Sequence, residues 1–224
     1  MTMLTAIKAE HRSVRPSTTT PVVFVVHDDV SVRESLELLI QSSGWEVETF
    51  ASAKEFLACP RASVPNCLIL DVSLPDLSGL DLQKRVASDR SAMPIIFITA
   101  YSDVRTSVQA MKAGAVEFLT KPFSDETLLT GIREALERSR RALEYEAQMS
   151  GIRESYASLT PREREVMLLV VSGLLNKQVG AELGISEITV KAHRGQVMRK
   201  MKAESLPALV HMVDRLGLAT ASAA

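Results

Sequence analysis

Between Val22 and Leu119, four short and largely apolar runs alternate with stretches of helical spacing, and each run stops abruptly at polar residues. The runs are Val22–Val26, Cys67–Leu70, Ile95–Ile98 and Val116–Leu119; they lead into His27-Asp28-Asp29, Asp71, Thr99 and Thr120-Lys121-Pro122. Between them Leu36, Leu39 and Ile40 share one helical face, as do Val104, Val108 and Met111. Strand and helix therefore alternate, which predicts right-handed crossovers and a doubly wound α/β layer: a parallel sheet with helices on both faces. Such a sheet collects the carboxyl ends of its strands along one edge, where open α/β sheets place their chemistry. That edge carries Asp28, Asp29, Asp71, Thr99 and Lys121.

Three carboxylates, a hydroxyl and an ammonium suit a hard divalent cation, Mg²⁺ or Mn²⁺, held by oxygens beside a carboxylate that accepts a phosphoryl group. On this reading Asp28 and Asp29 hold the metal, Asp71 is the acceptor, and Lys121 neutralises the transferring oxygens. Thr99 would hydrogen-bond the phosphoryl group once attached. Singly, each residue has a plainer explanation: adjacent acids after a strand favour the first turn of a helix, and a Lys-Pro pair marks a turn. Their occurrence together, at four strand ends in order, favours the chemical reading.

These residues resemble the receiver domain of two-component response regulators, through Val26-His27-Asp28-Asp29, Leu68 to Gly79, Ile98-Thr99-Ala100 and Phe118 to Phe123. The resemblance covers Pro21 to about Thr127 and implies a five-stranded, flavodoxin-like sheet. It also implies that Asp71 is the phosphoacceptor and that Asp29, Asp71 and the Ser73 carbonyl ligate Mg²⁺. Asp28 would complete the acidic pocket, Thr99 would be the switch hydroxyl, Lys121 the phosphate-contacting base and Phe118 the aromatic that reports activation. The Lys121-Pro122 bond is usually cis in that family. A phosphatase of the haloacid-dehalogenase type also uses an aspartate after an apolar strand, but it needs a second acid two residues on, and Ser73 stands there.

The chain's 26 basic and 27 acidic residues are unevenly spread. Residues 22–128 carry 9 basic and 15 acidic side chains, whereas residues 159–224 carry 9 and 6. A basic C-terminal segment favours nucleic acid as its partner. Thr160-Pro161-Arg162-Glu163 reads as a capping box with proline at the first helical position. Gly173 ends that helix, Asn176–Leu183 forms a second, Gly184 makes the turn, and Ser186 caps a third helix from Glu187 to about Met201. Ser205–Leu216 forms a fourth. Two short helices about a glycine turn, the second basic, constitute a helix-turn-helix within an all-α four-helix domain.

On the third helix Val190, Val197 and Met201 are expected to pack inward. Lys191, Ala192, Arg194, Gly195, Arg199 and Lys200 then fall on the outer or flanking surface. Lys191, Ala192 and Gly195 are best placed to enter a major groove, with Arg194 and Arg199 reaching bases or phosphates. The stretches Leu159 to Val166 and Gly184 to Arg194 resemble a LuxR-type effector domain, and His193 to Met201 resembles the FixJ branch of the NarL/FixJ family. That resemblance implies base-facing Lys191, Ala192 and Gly195, with Lys177 and His193 near phosphates.

Between the two domains Ser124 to about Tyr156 reads as one long, charge-studded helix, either forming a coiled coil or kinking near Ser150-Gly151. The expected division is a disordered tail (1–20), receiver (21–127), linker helix (128–158), helix-turn-helix domain (159–219) and a short tail (220–224). No run of 18 apolar residues occurs, and Cys59 and Cys67 have neither metal nor redox spacing, so a cytoplasmic location is expected. The resemblances imply a transcriptional regulator, most simply an activator, and not an enzyme. It would be phosphorylated by a cognate histidine kinase, form a homodimer, bind promoter DNA and engage RNA polymerase. A LuxR-type regulator acting without phosphate, or one attached to a ligand sensor, are the rival readings.

Overall fold

The computed structural model describes residues 20–60, 62–100 and 103–218. The two tails expected from sequence lie outside the described residues, apart from Thr20. The chain divides between Leu143 and Glu144 into two units.

The first unit holds a parallel sheet in the order β2-β1-β3-β4-β5, built from β1 (Val22–Val26), β2 (Glu46–Phe50), β3 (Asn66–Asp71), β4 (Ile95–Thr99) and β5 (Glu117–Thr120). All of β1, β3 and β4 is buried, which explains why these strands read as unbroken apolar runs. The strand that no apolar run announced is β2, Glu-Val-Glu-Thr-Phe: it lies at the sheet's edge, is only partly buried, and has just two apolar residues, Val47 and Phe50. It pairs along β1 from Val22 opposite Glu46 to Val26 opposite Phe50.

Side chains two apart share a face, so β1 feeds two cores. Val22, Phe24 and Val26 pack with Phe56 of α2 (Ala53–Ala58), Leu82 and Val86 of α3 (Gly79–Asp89) and Ala110 of α4 (Val104–Lys112). Val23 and Val25 face Leu36 and Ile40 of α1 (Val30–Ser42) and Leu128, Ile132, Ala135 and Leu136 of α5 (Asp125–Ala157). The first turns of the expected linker are therefore part of the receiver core. Its apolar stripe was masked by Arg133, Glu134, Glu137 and Arg138 on the other face. Ser139 extends the attachment, its Oγ accepting the buried Asn66 N–H at 3.0 Å. The helix runs unbroken through Ser150 and Gly151, where a kink was one expectation.

The second unit contains α6 (Pro161–Val171), α7 (Asn176–Leu183), α8 (Glu187–Lys200) and α9 (Leu206–Arg215), with Ile152 and Tyr156 of α5 packed on its core. Val166, Val170, Val179 and Val190 form a second small core where α6, α7 and α8 meet. The α7–α8 turn depends on two glycines. Gly184 ends α7 at φ +66°, a left-handed conformation, and a Cβ on Gly180 would lie 2.7 Å from the Ile185 carbonyl oxygen.

The capping box at Thr160 does more than start a helix. The buried Glu163 carboxylate accepts from the Thr160 N–H at 2.8 Å and from Lys200 Nζ at 2.6 Å, tying α6 to the end of α8. The Lys200 ammonium and the Thr160 N–H hold the Glu163 carboxyl below its ordinary value. A depressed folded value stabilises above the unfolded pKa, and that contribution is lost as pH falls through the folded one. We predict that Glu163→Gln lowers hydrogen-exchange protection of α6 at pH 7 by about 1.5–3 kcal/mol, the worth of a charged hydrogen bond. The gap from wild type should shrink below about pH 4.

Candidate functional site

The register of β1 on β3 sets the chemistry at the sheet edge. Val26 lies opposite Leu70, so the next residue of each strand, His27 and Asp71, emerge side by side. Their separation is 3.7 Å between Nε2 and Oδ2, and both are buried. Lys121, which follows β5 and whose N–H bonds the Thr99 carbonyl at 2.8 Å, brings its Nζ to 2.7 Å from His27 Nε2. Asp28 lies on the other side of the imidazole, Oδ1 to Nδ1 3.3 Å. Burial, then the charge of Lys121, lowers the pKa of His27, while Asp71, Asp28 and Asp29 only partly offset them. The Asp29 N–H donates to His27 Nδ1 at 3.0 Å and to Asp28 Oδ1 at 2.9 Å.

His27, Asp28 and Asp71 each offer one ligand atom, all within 4.8 Å of one another. The two carboxylates of this set suit a hard divalent cation, while the ring nitrogens of His27 are engaged by the Asp29 N–H and Lys121 Nζ. Asp29, which the sequence also placed at the metal, is not among these three residues. Its Oδ1 accepts from the Ser31 and Val32 N–H groups at 2.8 and 3.3 Å, making it the N-cap of α1. Those two bonds favour its charged form and lower its pKa. Asp29 thus takes the role of an acid at a helix start, while Asp28 lies beside His27 and Asp71.

Two contributors were missed. His27 was legible as the first polar residue of its run, in register with Asp71, but the adjacent aspartates drew attention away from it. Arg33 fixes the loop from α1, its Nη1 donating to the carbonyls of His27 at 2.6 Å and Asp28 at 2.8 Å. Nothing in the sequence singled out that arginine from the other charges of the helix.

Thr99 is buried at the end of β4, one residue past the pairing of Asp71 with Ile98. Phe118 is half-buried with its ring 5.9 Å from that of Phe97. Ser73 is exposed in the loop after Asp71, and the Lys121-Pro122 bond is cis. The same loop is anchored by Asp76, whose carboxylate accepts from the N–H groups of Ala53 and Lys54 at 3.2 and 2.9 Å. A Cβ on Gly79 would lie 2.4 Å from the Asp71 carbonyl oxygen, so the start of α3 needs glycine there.

In the second unit Val190 and Val197 of α8 are buried, and Lys191, Ala192, Gly195 and Arg199 are exposed on the opposite face. Lys191 pairs with Glu187 at 3.0 Å, and Arg199 donates to Gln196 Oε1. Arg194 departs from expectation. Four residues after buried Val190, it is turned to the protein, half-buried with Nη1 3.2 Å from Asn176 Oδ1. Lys177 is exposed in the first turn of α7, and His193 is half-buried. Among the described residues no helix is long and apolar enough to cross a membrane.

Comparison with known proteins agrees with both halves. Residues 23–133 match the response regulator receiver domain and residues 157–213 match the luxR family of bacterial regulatory proteins. Nodulation protein W of Bradyrhizobium diazoefficiens is 49% identical over 202 residues, covering 90% of this chain and 89% of that protein. The transcriptional regulatory protein FixJ of the same organism is 41% identical over 202 residues, covering 90% and 98%. The solved structure of the response regulator StyR superimposes with a TM-score of 0.79 at 44% identity, covering 88% of this chain and 99% of that one. Full-length FixJ from B. japonicum gives a TM-score of 0.52 at 39% identity, covering 89% and 98%. With a receiver fold, a helix-turn-helix and these relatives along most of its length, the chain belongs to the response regulators that join a receiver to a LuxR-type DNA-binding domain, phosphorylation-dependent regulators of transcription partnered by a histidine kinase and promoter DNA.

Proposed function

We propose that Asp71 is the phosphoacceptor of this regulator, and that its phosphorylation licenses promoter binding by residues 159–219 through the helix that continues from the receiver. The observation that carries the reading is the meeting of Asp71, Asp28 and Lys121 around His27 at one strand edge. An Asp71 carboxylate oxygen attacks the phosphorus of a phosphohistidine on the kinase; the new O–P bond forms as the P–N bond breaks and the imidazole departs. Lys121 offsets the charge of the transferring oxygens. Mg²⁺ or Mn²⁺, held by Asp28 and Asp71 with the Ser73 carbonyl, supplies further charge neutralisation when bound.

Thr99 then bonds the phosphoryl group, and Phe118 follows it against Phe97. The face made by α4, β5 and the start of α5 is remodelled into a homodimer contact. The dimer places two copies of α8 on a two-fold related site in the cytoplasm and presents the complex to RNA polymerase as an activator. Lys191, Ala192 and Gly195 face bases, and Lys177, His193 and Arg199 lie by phosphates. The chain is an acceptor and not a turnover enzyme, because Ser73 stands where a phosphatase of the haloacid-dehalogenase type needs its general acid.

With acetyl phosphate as donor, wild type should incorporate phosphate and dimerise in analytical ultracentrifugation, while Asp71→Asn does neither. An Asp71→Asn protein that dimerises and binds DNA like the phosphorylated wild type would refute the switch. Lys191→Ala should weaken binding to a selected operator by about 1–3 kcal/mol, measured by anisotropy, and leave phosphate incorporation unchanged.

A further inference from the structure

We propose that Ile188 reads sequence, by packing on the 5-methyl group of a thymine in the major groove; this rests on the DNA-binding reading of α8 given above. Ile188 is 80% exposed, in the first turn of α8. Leu175, the next most exposed large apolar residue described in the same unit, is at 71%. Neither apolar core of the unit includes Ile188. A β-branched side chain in water adds nothing to folding and is a poorer helix former than a straight-chain residue would be there, so stability does not account for it.

Its position does. At 100° per residue, Ile188 lies about 160° around α8 from Val190, opposite the buried stripe. Ala192 and Gly195 follow at i+4 and i+7 on the same face, both exposed, with Lys191 on its edge. Over the first two turns that stripe holds one large side chain, and it is apolar; the next, Arg199, follows at i+11 near the far end of the helix. A Cβ built on Gly195 meets nothing within 4 Å, so packing inside the protein does not demand glycine there. A bare stripe of this kind lets the helix sit deep in the groove, leaving Ile188 as the projecting group near the helix N-terminus, the end that a helix-turn-helix directs at base edges. The thymine methyl is the apolar feature that the major groove offers it. Glu187 and Lys191, paired beside it at 3.0 Å, supply the polar contacts to either side.

The test uses the full chain, treated with acetyl phosphate, in selection from a random duplex library. Wild type and Ile188→Val should enrich a site with a thymine at one position of each half-site; Ile188→Ala should enrich the same site with that position relaxed. Replacing this thymine by deoxyuridine removes only the methyl and should weaken wild-type binding about fourfold per half-site, the worth of one buried methyl. It should leave Ile188→Ala unchanged. Equal thymine enrichment by Ile188→Ala, or equal wild-type affinity for the deoxyuridine duplex, overturns the proposal. Failure of wild type to enrich any sequence overturns the DNA-binding reading itself, and thermal melts of the variants separate either result from misfolding.

Discussion

The register between β1 and β3 is the constraint on which the site depends. A parallel strand buried on both faces has no freedom to slip, because a one-residue shift would exchange its two side-chain sets between the cores. Val22, Phe24 and Val26 belong to one core, Val23 and Val25 to the other. With that pairing held, His27 and Asp71 leave the sheet together at 3.7 Å, and the position of Lys121 follows from β5 pairing on β4. The reactive edge is a by-product of apolar packing beneath it.

This also explains what the sequence revealed and what it hid. Buried strands announce themselves as apolar runs, so β1, β3, β4 and the residues that end them were legible, Asp71 among them. The edge strand β2 faces solvent in part and neither runs apolar nor alternates, which gives a short Glu-Val-Glu-Thr-Phe segment no distinctive signal. The capping role of Asp29 was hard to read because a strand end and a helix start overlap within three residues, and both favour an acid. Only three-dimensional placement separates the carboxylate that caps α1 from the one that faces Asp71. The same limit applied to Arg194: a basic residue on a recognition helix reads as DNA-facing until the half-buried bond to Asn176 is seen.

The C-terminal unit was more legible, because helix boundaries there carry local chemistry. Thr160, Ser186 and Ser205 cap their helices as their sequences indicate, and Gly184 takes the left-handed turn. The long-range partner of Glu163 was not legible: the capping box needs only Thr160, whereas Lys200 arrives from 37 residues away. One carboxylate thus serves a local rule and a tertiary contact at once.

The glycine at the start of α3 has a consequence for how Asp71 works. Because a side-chain carbon at position 79 would press on the Asp71 carbonyl oxygen, α3 abuts the main chain of the acceptor residue itself. The Gly79 N–H also bonds the Val72 carbonyl at 2.9 Å. The acceptor's backbone is thereby clamped between a sheet and a helix, and any response to a new charge must be carried by side chains and loops around a stationary anchor.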